Sequence, residues 1–175
     1  MKHNNPTQKW RRQFFSALKD AGEAIAIAHA QAPLSYDALW RCAQAYAQHL
    51  RTLGFDRGDR IAVALQSEPP LLVVLLGHYL SGVIHVPINT RYGRSEIEHV
   101  IQDCRPKAVW LDETLGCAEI MKSIAHEAQI DVWTDSQTLI SEKELVDGGD
   151  EQVTDEDIAL LIYTSGTTGR SKGCA

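Results

Sequence analysis

Ten consecutive residues, Thr164 to Gly173, carry the side chains and the backbone freedom needed to grip a phosphate chain. Gly166, Gly169 and Gly173 let the backbone turn sharply and bring N–H groups close to an anion without a Cβ in the way. Thr164, Ser165, Thr167 and Thr168 place four hydroxyls in the first five positions, each able to donate to a phosphate oxygen, and one can enter the shell of Mg2+. Arg170 and Lys172 add two cations; a lysine ammonium sets a compact positive charge against a polyphosphate. The order is not that of a Walker A loop, G-x-x-x-x-G-K-[ST]. Arg170 and Ser171 separate Gly169 from Lys172, and Gly173 follows the lysine. A hydroxyl-rich surface turn without a ligand is the competing reading, and ten ordered positions behind an apolar run weigh against it.

Such a loop needs a rigid base. Ile158 to Tyr163 reads as a final apolar, buried strand leading into it. Upstream, the first twelve or so residues are polar and basic and read as a frayed or surface-lying start. Ala24–His29 reads as a short strand. Ser35 is an N-cap, with Asp37 in the first turn, for a helix stopping at Gly54; its apolar face is Leu39, Cys42, Ala43, Tyr46, Ala47, Leu50 and Leu53. Arg60–Leu65 reads as a buried strand. Pro69 and Pro70 fit the first turn of a helix running to about Leu80, apolar on nearly every side and so buried on more than one. Gly82 ends it and Val83–Val86 returns as a strand. Ser95 with Glu98 predicts a capping box for a helix that faces inward with Ile97, Val100 and Ile101 and stops before Pro106. Ala108–Leu111 reads as strand, Glu113 to about Gln129 as helix despite Gly116, Ile130–Trp133 as strand, and 135–157 as polar loop. Strands alternating with helices predict an α/β fold, a largely parallel sheet covered by helices.

With 175 residues, 44% apolar and 23% charged, the chain is long enough to bury a real core. A net charge of −6 argues against non-specific nucleic-acid binding, though a single loop can still supply local positive potential for one nucleotide. Cys42, Cys104, Cys117 and Cys174 form neither C-x-x-C nor zinc-ligand spacing, which points to reduced thiols in a cytoplasmic setting. Cys174 beside the loop lacks a neighbouring base and reads as inert. His3, His29, His49, His78, His85, His99 and His126 show no metal spacing and read as surface or satisfied core. Trp40, Trp110 and Trp133 read as packing, and Asp155, Glu156 and Asp157 as a solvated turn. Lys9–Arg12 before Phe14-Phe15 resembles a signal-peptide start, but Lys19, Asp20 and Glu23 interrupt the apolar stretch that a signal peptide needs there. The most apolar run, Leu71–Leu80, is half the length of a membrane span.

Tyr163 to Gly173 resembles the phosphate-loop signature of the AMP-forming, adenylate-forming superfamily, Y-T-S-G-T-T-G-x-P-K-G, with Ser171 in place of the usual proline. That superfamily includes acyl-CoA synthetases, peptide-synthetase adenylation domains and luciferases. The likeness extends over about residues 20–175. Leu34–Leu39 resembles (L/F)-(T/S)-Y-x-E-L, Leu53–Val63 resembles L-G-x-x-x-G-D-R-V-A-V, and Gly82–Asn89 resembles G-x-x-x-V-P-(L/I)-N. Gln66–Pro70 departs from the usual N-S-x-E, and Ser171 gives up a fixed φ without losing a donor.

The resemblance implies the opening portion of the large N-terminal domain of an adenylate-forming enzyme, residues 21–175, behind an extension at 1–20. It implies ATP-dependent conversion of a carboxylic acid to an acyl-adenylate with release of pyrophosphate, then transfer to coenzyme A, as in fatty acid metabolism. Its phosphate-binding set is Thr164, Ser165, Gly166, Thr167, Thr168, Gly169, Arg170, Ser171, Lys172 and Gly173, with Lys172 as the catalytic cation and Thr164 as a Mg2+ ligand. The implied small molecules are ATP, Mg2+, coenzyme A and the acid. Family members continue well beyond the loop, so the 175-residue chain is expected to be a fragment without activity alone. A peptide-synthetase adenylation domain is the rival within this chemistry. A P-loop NTPase, which fails on spacing, and a non-catalytic nucleotide-binding module are rivals from other classes.

Overall fold

A computed structural model describes residues 9–30, 33–134, 153–164 and 172–175. From the N-terminus, helix α1 (Lys9–Asp20) leads to a small antiparallel pair, β1 (Ile25–Ile27) and β2 (Leu34–Ser35), and to the long helix α2 (Tyr36–Thr52). Three strand–helix units follow: β3 (Arg60–Ala64) with α3 (Pro69–Ser81), β4 (Ile84–Pro87) with α4 (Arg94–Cys104), and β5 (Ala108–Leu111) with α5 (Ala118–Glu127). Strand β6 (Asp131–Trp133) comes next, and the short strands β7 (Ile162–Thr164) and β8 (Lys172–Cys174) form a separate antiparallel pair.

Strands β3 to β6 make one parallel sheet in the order β4-β3-β5-β6. Parallel neighbours cannot be joined by a tight turn, so each link is a helical crossover and helices cover both faces. The side chains divide with the pleat. Ile61 and Val63 of β3, with Ala108 and Trp110 of β5, pack among Tyr46, Leu50 and Val74 of α2 and α3. Ala62, Ala64, Val109 and Leu111 point the other way, among Ile97, Val100, Met121 and Ile124 of α4 and α5. That is why these strands read as unbroken apolar runs.

Helix α2 is bounded as its sequence predicts. Ser35 Oγ accepts the Ala38 N–H at 3.2 Å, and the N–H groups of Gly54 and Phe55 return to the carbonyls of Arg51 and Leu50, the crossed pair of a Schellman turn. Helix α3 runs from Pro69 to Ser81, buried on several sides, and stops at Gly82. It crosses α2 so closely that a Cβ on Gly77 would stand 2.3 Å from Cδ1 of Tyr46 and 3.1 Å from the carbonyl oxygen of Ala43.

Four expectations are corrected. Residues 9–12 are not frayed: they begin α1, whose Phe15 and Leu18 pack against Trp40. The basic stretch hid this because Arg11 is itself buried, donating from Nη2 to the Tyr79 carbonyl at 2.7 Å. The third predicted helix starts at Arg94 behind an N-cap at Gly93, and Glu96 rather than Glu98 reaches back, accepting the Gly93 N–H at 2.8 Å. The helix expected from Glu113 begins at Ala118, since Asp112 Oδ1 captures the Thr114 N–H and starts a turn instead. Finally, Ile158–Tyr163 is not one buried strand. Leu160 makes an isolated parallel bridge to His85, and the chain then turns into β7, with Ile158 and Ile162 exposed at 47% and 43%.

A polar chain runs through the core at this junction. Tyr46 Oη lies 2.8 Å from His78 Nε2, and His78 Nδ1 lies 3.0 Å from His85 Nδ1, so the two rings must take complementary tautomers. Burial, with His85 adding to it, holds His78 well below its ordinary value, and burial lowers His85 to about 4.

This packing has two measurable consequences. Gly77→Ala should destabilise the fold by about 1–3 kcal/mol in urea unfolding, because Tyr46 is fixed by His78 and Trp110 and cannot retreat; an unchanged midpoint would contradict the close approach. Above about pH 6.5 both histidines are neutral folded and unfolded. Below it the unfolded chain takes up protons that the folded chain refuses. Stability should therefore fall as pH drops below about 6.5, with His85 contributing down to about pH 4. Urea midpoints at about pH 7, 6 and 5 check this, and a flat series would contradict it.

Candidate functional site

The β7–β8 pair holds the two ends of the predicted phosphate loop. Its register sets Ile162 opposite Cys174, Tyr163 opposite Gly173, and Thr164 opposite Lys172. Side chains alternate along a strand, so Tyr163 turns inward and is 7% exposed, while Thr164 and Lys172 share the outward face. Directly opposed residues have Cβ atoms about 4.5–5.5 Å apart. A threonine and a lysine side chain thus leave the same exposed face at the mouth of the loop. Of the ten predicted residues, Thr164, Lys172 and Gly173 are placed; Ser165, Gly166, Thr167, Thr168, Gly169, Arg170 and Ser171 lie outside the described residues.

The rung is anchored from below. Segment 159–161 joins the outer edge of β4 through two backbone bonds, His85 N–H to the Ala159 carbonyl at 3.0 Å and Leu161 N–H to the His85 carbonyl at 2.9 Å. Tyr163 Oη donates to Asp103 Oδ2 on α4, and Tyr92 Oη reaches the Tyr163 carbonyl at 3.4 Å. The His99 ring meets Tyr163 edge-on, with centroids 6.3 Å apart. Burial, then the Asp103 bond, pushes the Tyr163 phenol well above its ordinary value, so it remains a donor. Gly173 lies under this ring: a Cβ there would meet Tyr163 Cζ at 3.2 Å and Leu161 Cδ1 at 3.1 Å.

The linear sequence signals no role for Tyr92 or Asp103, and His99 reads there only as surface or satisfied core. His99 and Asp103 are spaced i, i+4 and so share one side of α4, but nothing in the residue order pairs them with Tyr163. The three consecutive acids are partly structural. Asp155 accepts the N–H groups of Trp10 and Arg11 at the start of α1, and Asp157 accepts that of Thr154 at 2.6 Å. Cys42, Cys104 and Cys117 are buried free thiols, Cys104 being pushed up to about 12 by burial, and Cys174 is exposed on β8. Among the described residues no cluster of three or more His, Cys, Asp or Glu could hold a metal, and no helix is long and apolar enough to cross a membrane.

A second candidate is a crevice of about 250 Å³ at the carboxyl ends of β3, β5 and β6, lined by Leu65, Gln66, Glu68, Asp112 and Thr134 among others. Strand order reverses between β3 and β5, where open α/β sheets often bind ligands. Its two carboxylates suit a polyphosphate poorly. The hydroxyl and ammonium of the hairpin suit one well.

The chain matches the AMP-binding enzyme family over residues 14–175. It is 29% identical over 155 residues to feruloyl-CoA synthase of Amycolatopsis sp, covering 86% of this chain and 29% of that protein. It is 28% identical over 151 residues to a linear gramicidin synthase of Brevibacillus parabrevis, covering 86% of this chain and 3% of that protein. The crystal structure of ATP-bound MatB from Rhodopseudomonas palustris superposes with a TM-score of 0.72 at 29% identity, over 91% of this chain and 33% of that one. The chain therefore spans less than a third of each of the two curated relatives. A parallel sheet covered by helices, a hydroxyl–ammonium rung at the foot of a glycine-rich loop and a match over nearly the whole length agree: the chain belongs to the AMP-binding enzyme family of the adenylate-forming superfamily.

Proposed function

We propose that the protein activates a carboxylic acid with ATP and passes the acyl group to coenzyme A. A carboxylate oxygen attacks the α-phosphorus, the bond to the α,β-bridging oxygen breaks, and pyrophosphate leaves. The thiol then loses its proton to solvent and its sulfur attacks the acyl carbon, the bond from that carbon to the phosphate oxygen breaks, and AMP leaves. The observation that carries the reading is the Thr164–Lys172 rung, which sends a hydroxyl-bearing and an ammonium-bearing side chain outward at the mouth of the loop. Charge builds on the departing diphosphate as the bridging bond breaks, so a cation already in place lowers the barrier without reorganising. Ser165, Thr167 and Thr168 are proposed as further donors, Gly166 and Gly169 as points of close backbone approach, and Arg170, Ser171 and Gly173 as the rest of the loop.

Magnesium is held in such sites by one or two protein oxygens, with water and substrate phosphate supplying the rest. Thr164, exposed beside Lys172, suits that role, and the ion would neutralise phosphate charge there. Likeness to ATP-bound MatB supports ATP as the nucleotide, and likeness to feruloyl-CoA synthase supports coenzyme A as acceptor. The comparable likeness to linear gramicidin synthase favours a second reading, in which a carrier-protein thiol takes the acyl group.

Lys172→Ala in the full-length protein should slow acid-dependent ATP–pyrophosphate exchange by about 100-fold, the scale expected for one lost transition-state donor. The fold should be unaffected, because Lys172 is exposed. Exchange measured across short, long and aromatic acids, followed by addition of coenzyme A or a carrier protein, separates the two acceptors. An unaltered exchange rate in the variant would remove the basis of the assignment.

A further inference from the structure

Three groups converge on one residue of the hairpin, and none of them belongs to the loop. Tyr163 gives its hydroxyl proton to Asp103 Oδ2, receives the Tyr92 hydroxyl on its carbonyl, and takes the His99 ring against its own. Its neighbour in sequence is Thr164, and its cross-strand partner Gly173 is the neighbour of Lys172. Whatever fixes Tyr163 therefore fixes the next rung, where the hydroxyl and ammonium stand. The remaining support of β7 is thin: segment 159–161 joins β4 by two backbone bonds, and Ile158 and Ile162 face outward. Glycine at 173 leaves room for the same contact, since a Cβ there would crowd the Tyr163 ring and Leu161 at 3.1–3.4 Å.

We infer that Tyr163 is a positioning residue: anchored on Asp103 of α4, it sets the place of the Thr164–Lys172 rung against the nucleotide phosphates. This rests on the adenylation reading. The clamp itself is a property of the described residues and can be tested apart from it. Helix α4 packs on the sheet face opposite α2 and α3, so the clamp ties the β7–β8 pair to the sheet.

The test uses the full-length protein with Tyr163→Phe, Asp103→Ala and the pair together. Loss of one hydrogen bond to a charged acceptor should raise the KM for ATP by about tenfold. The KM for the acid should stay unchanged. A role confined to stability would lower the melting temperature without separating the two constants. The double variant should be no worse than either single, because both remove the same bond. Asp103→Asn, which keeps an acceptor, should restore most of the affinity. Amide hydrogen exchange without substrate should be faster at Tyr163, Thr164 and Lys172 in the single variants. If Tyr163→Phe does not fold, Asp103→Ala at its exposed position carries the same comparison.

An unchanged KM for ATP, a parallel rise in both constants, additive effects in the double variant, or unaltered exchange would each overturn the positioning role. If instead Lys172→Ala leaves adenylation untouched, the adenylation reading falls and the positioning role with it, while the exchange rates still report whether the clamp exists.

Discussion

A parallel strand pair cannot be closed by a short turn, and most of this molecule follows from that constraint. Each step from β3 to β4 to β5 to β6 requires a crossover, each crossover is a helix, and the helices seal both faces of the sheet. Sealing both faces leaves the strand edges as the exposed backbone. On the β4 edge, His85 has an N–H and a carbonyl that α3 and α4 do not use, and both are taken by segment 159–161. The route to Thr164 thus begins as an addition to the edge of a finished sheet.

A chain added at an edge gains only one flank of support. The bridge at Leu160 is a single parallel pairing, and β7 turns off it at once to pair with β8. Side chains supply the rest of the anchorage. Tyr163 goes into the core beside α4, and its hydroxyl finds the Asp103 carboxylate. Because side chains alternate, burying Tyr163 obliges Thr164 and Lys172 to face outward together. One inward contact therefore orients two functional groups.

Local charge matters more here than net charge. The chain carries −6 overall, and the crevice at the carboxyl ends of β3, β5 and β6 carries Glu68 and Asp112. The hairpin presents an ammonium next to a hydroxyl. Two carboxylates disfavour an anion at the crevice, whereas a lysine beside a threonine favours one at the hairpin. The buried chain of Tyr46, His78 and His85 is a different use of polar groups. Both imidazoles stay neutral, each satisfied by the next, and His85 is also the residue whose backbone receives segment 159–161. The inner packing of α2 on α3 and the outer attachment of the loop strand meet at that one residue.

Much of this was legible in the linear sequence where the cause was local. Ser35 as N-cap, Pro69 and Pro70 in a first turn, Gly82 as a helix stop and the apolar runs of β3 and β5 depend on neighbours within a few residues, and the structure has them as read. The residue types at 164–173 can also be read directly, since they are consecutive, but 165–171 lie outside the described residues. The failures share a different cause. Arg11 looked solvated until Tyr79, far along the chain, accepted its guanidinium, and Asp155 caps a helix that begins near residue 9. Ile158–Tyr163 looked like one strand because hydrophobicity records apolar character but not which partner, β4 or β8, each residue will meet. The sequence by itself determined the chemistry on offer at 164–173 and the alternation of strands and helices. Tertiary structure alone decided that Thr164 and Lys172 share a rung and that Asp103, sixty residues before Tyr163, holds it in place. Register and long-range hydrogen bonds depend on which distant surfaces come together, and residue order within a segment carries no record of that.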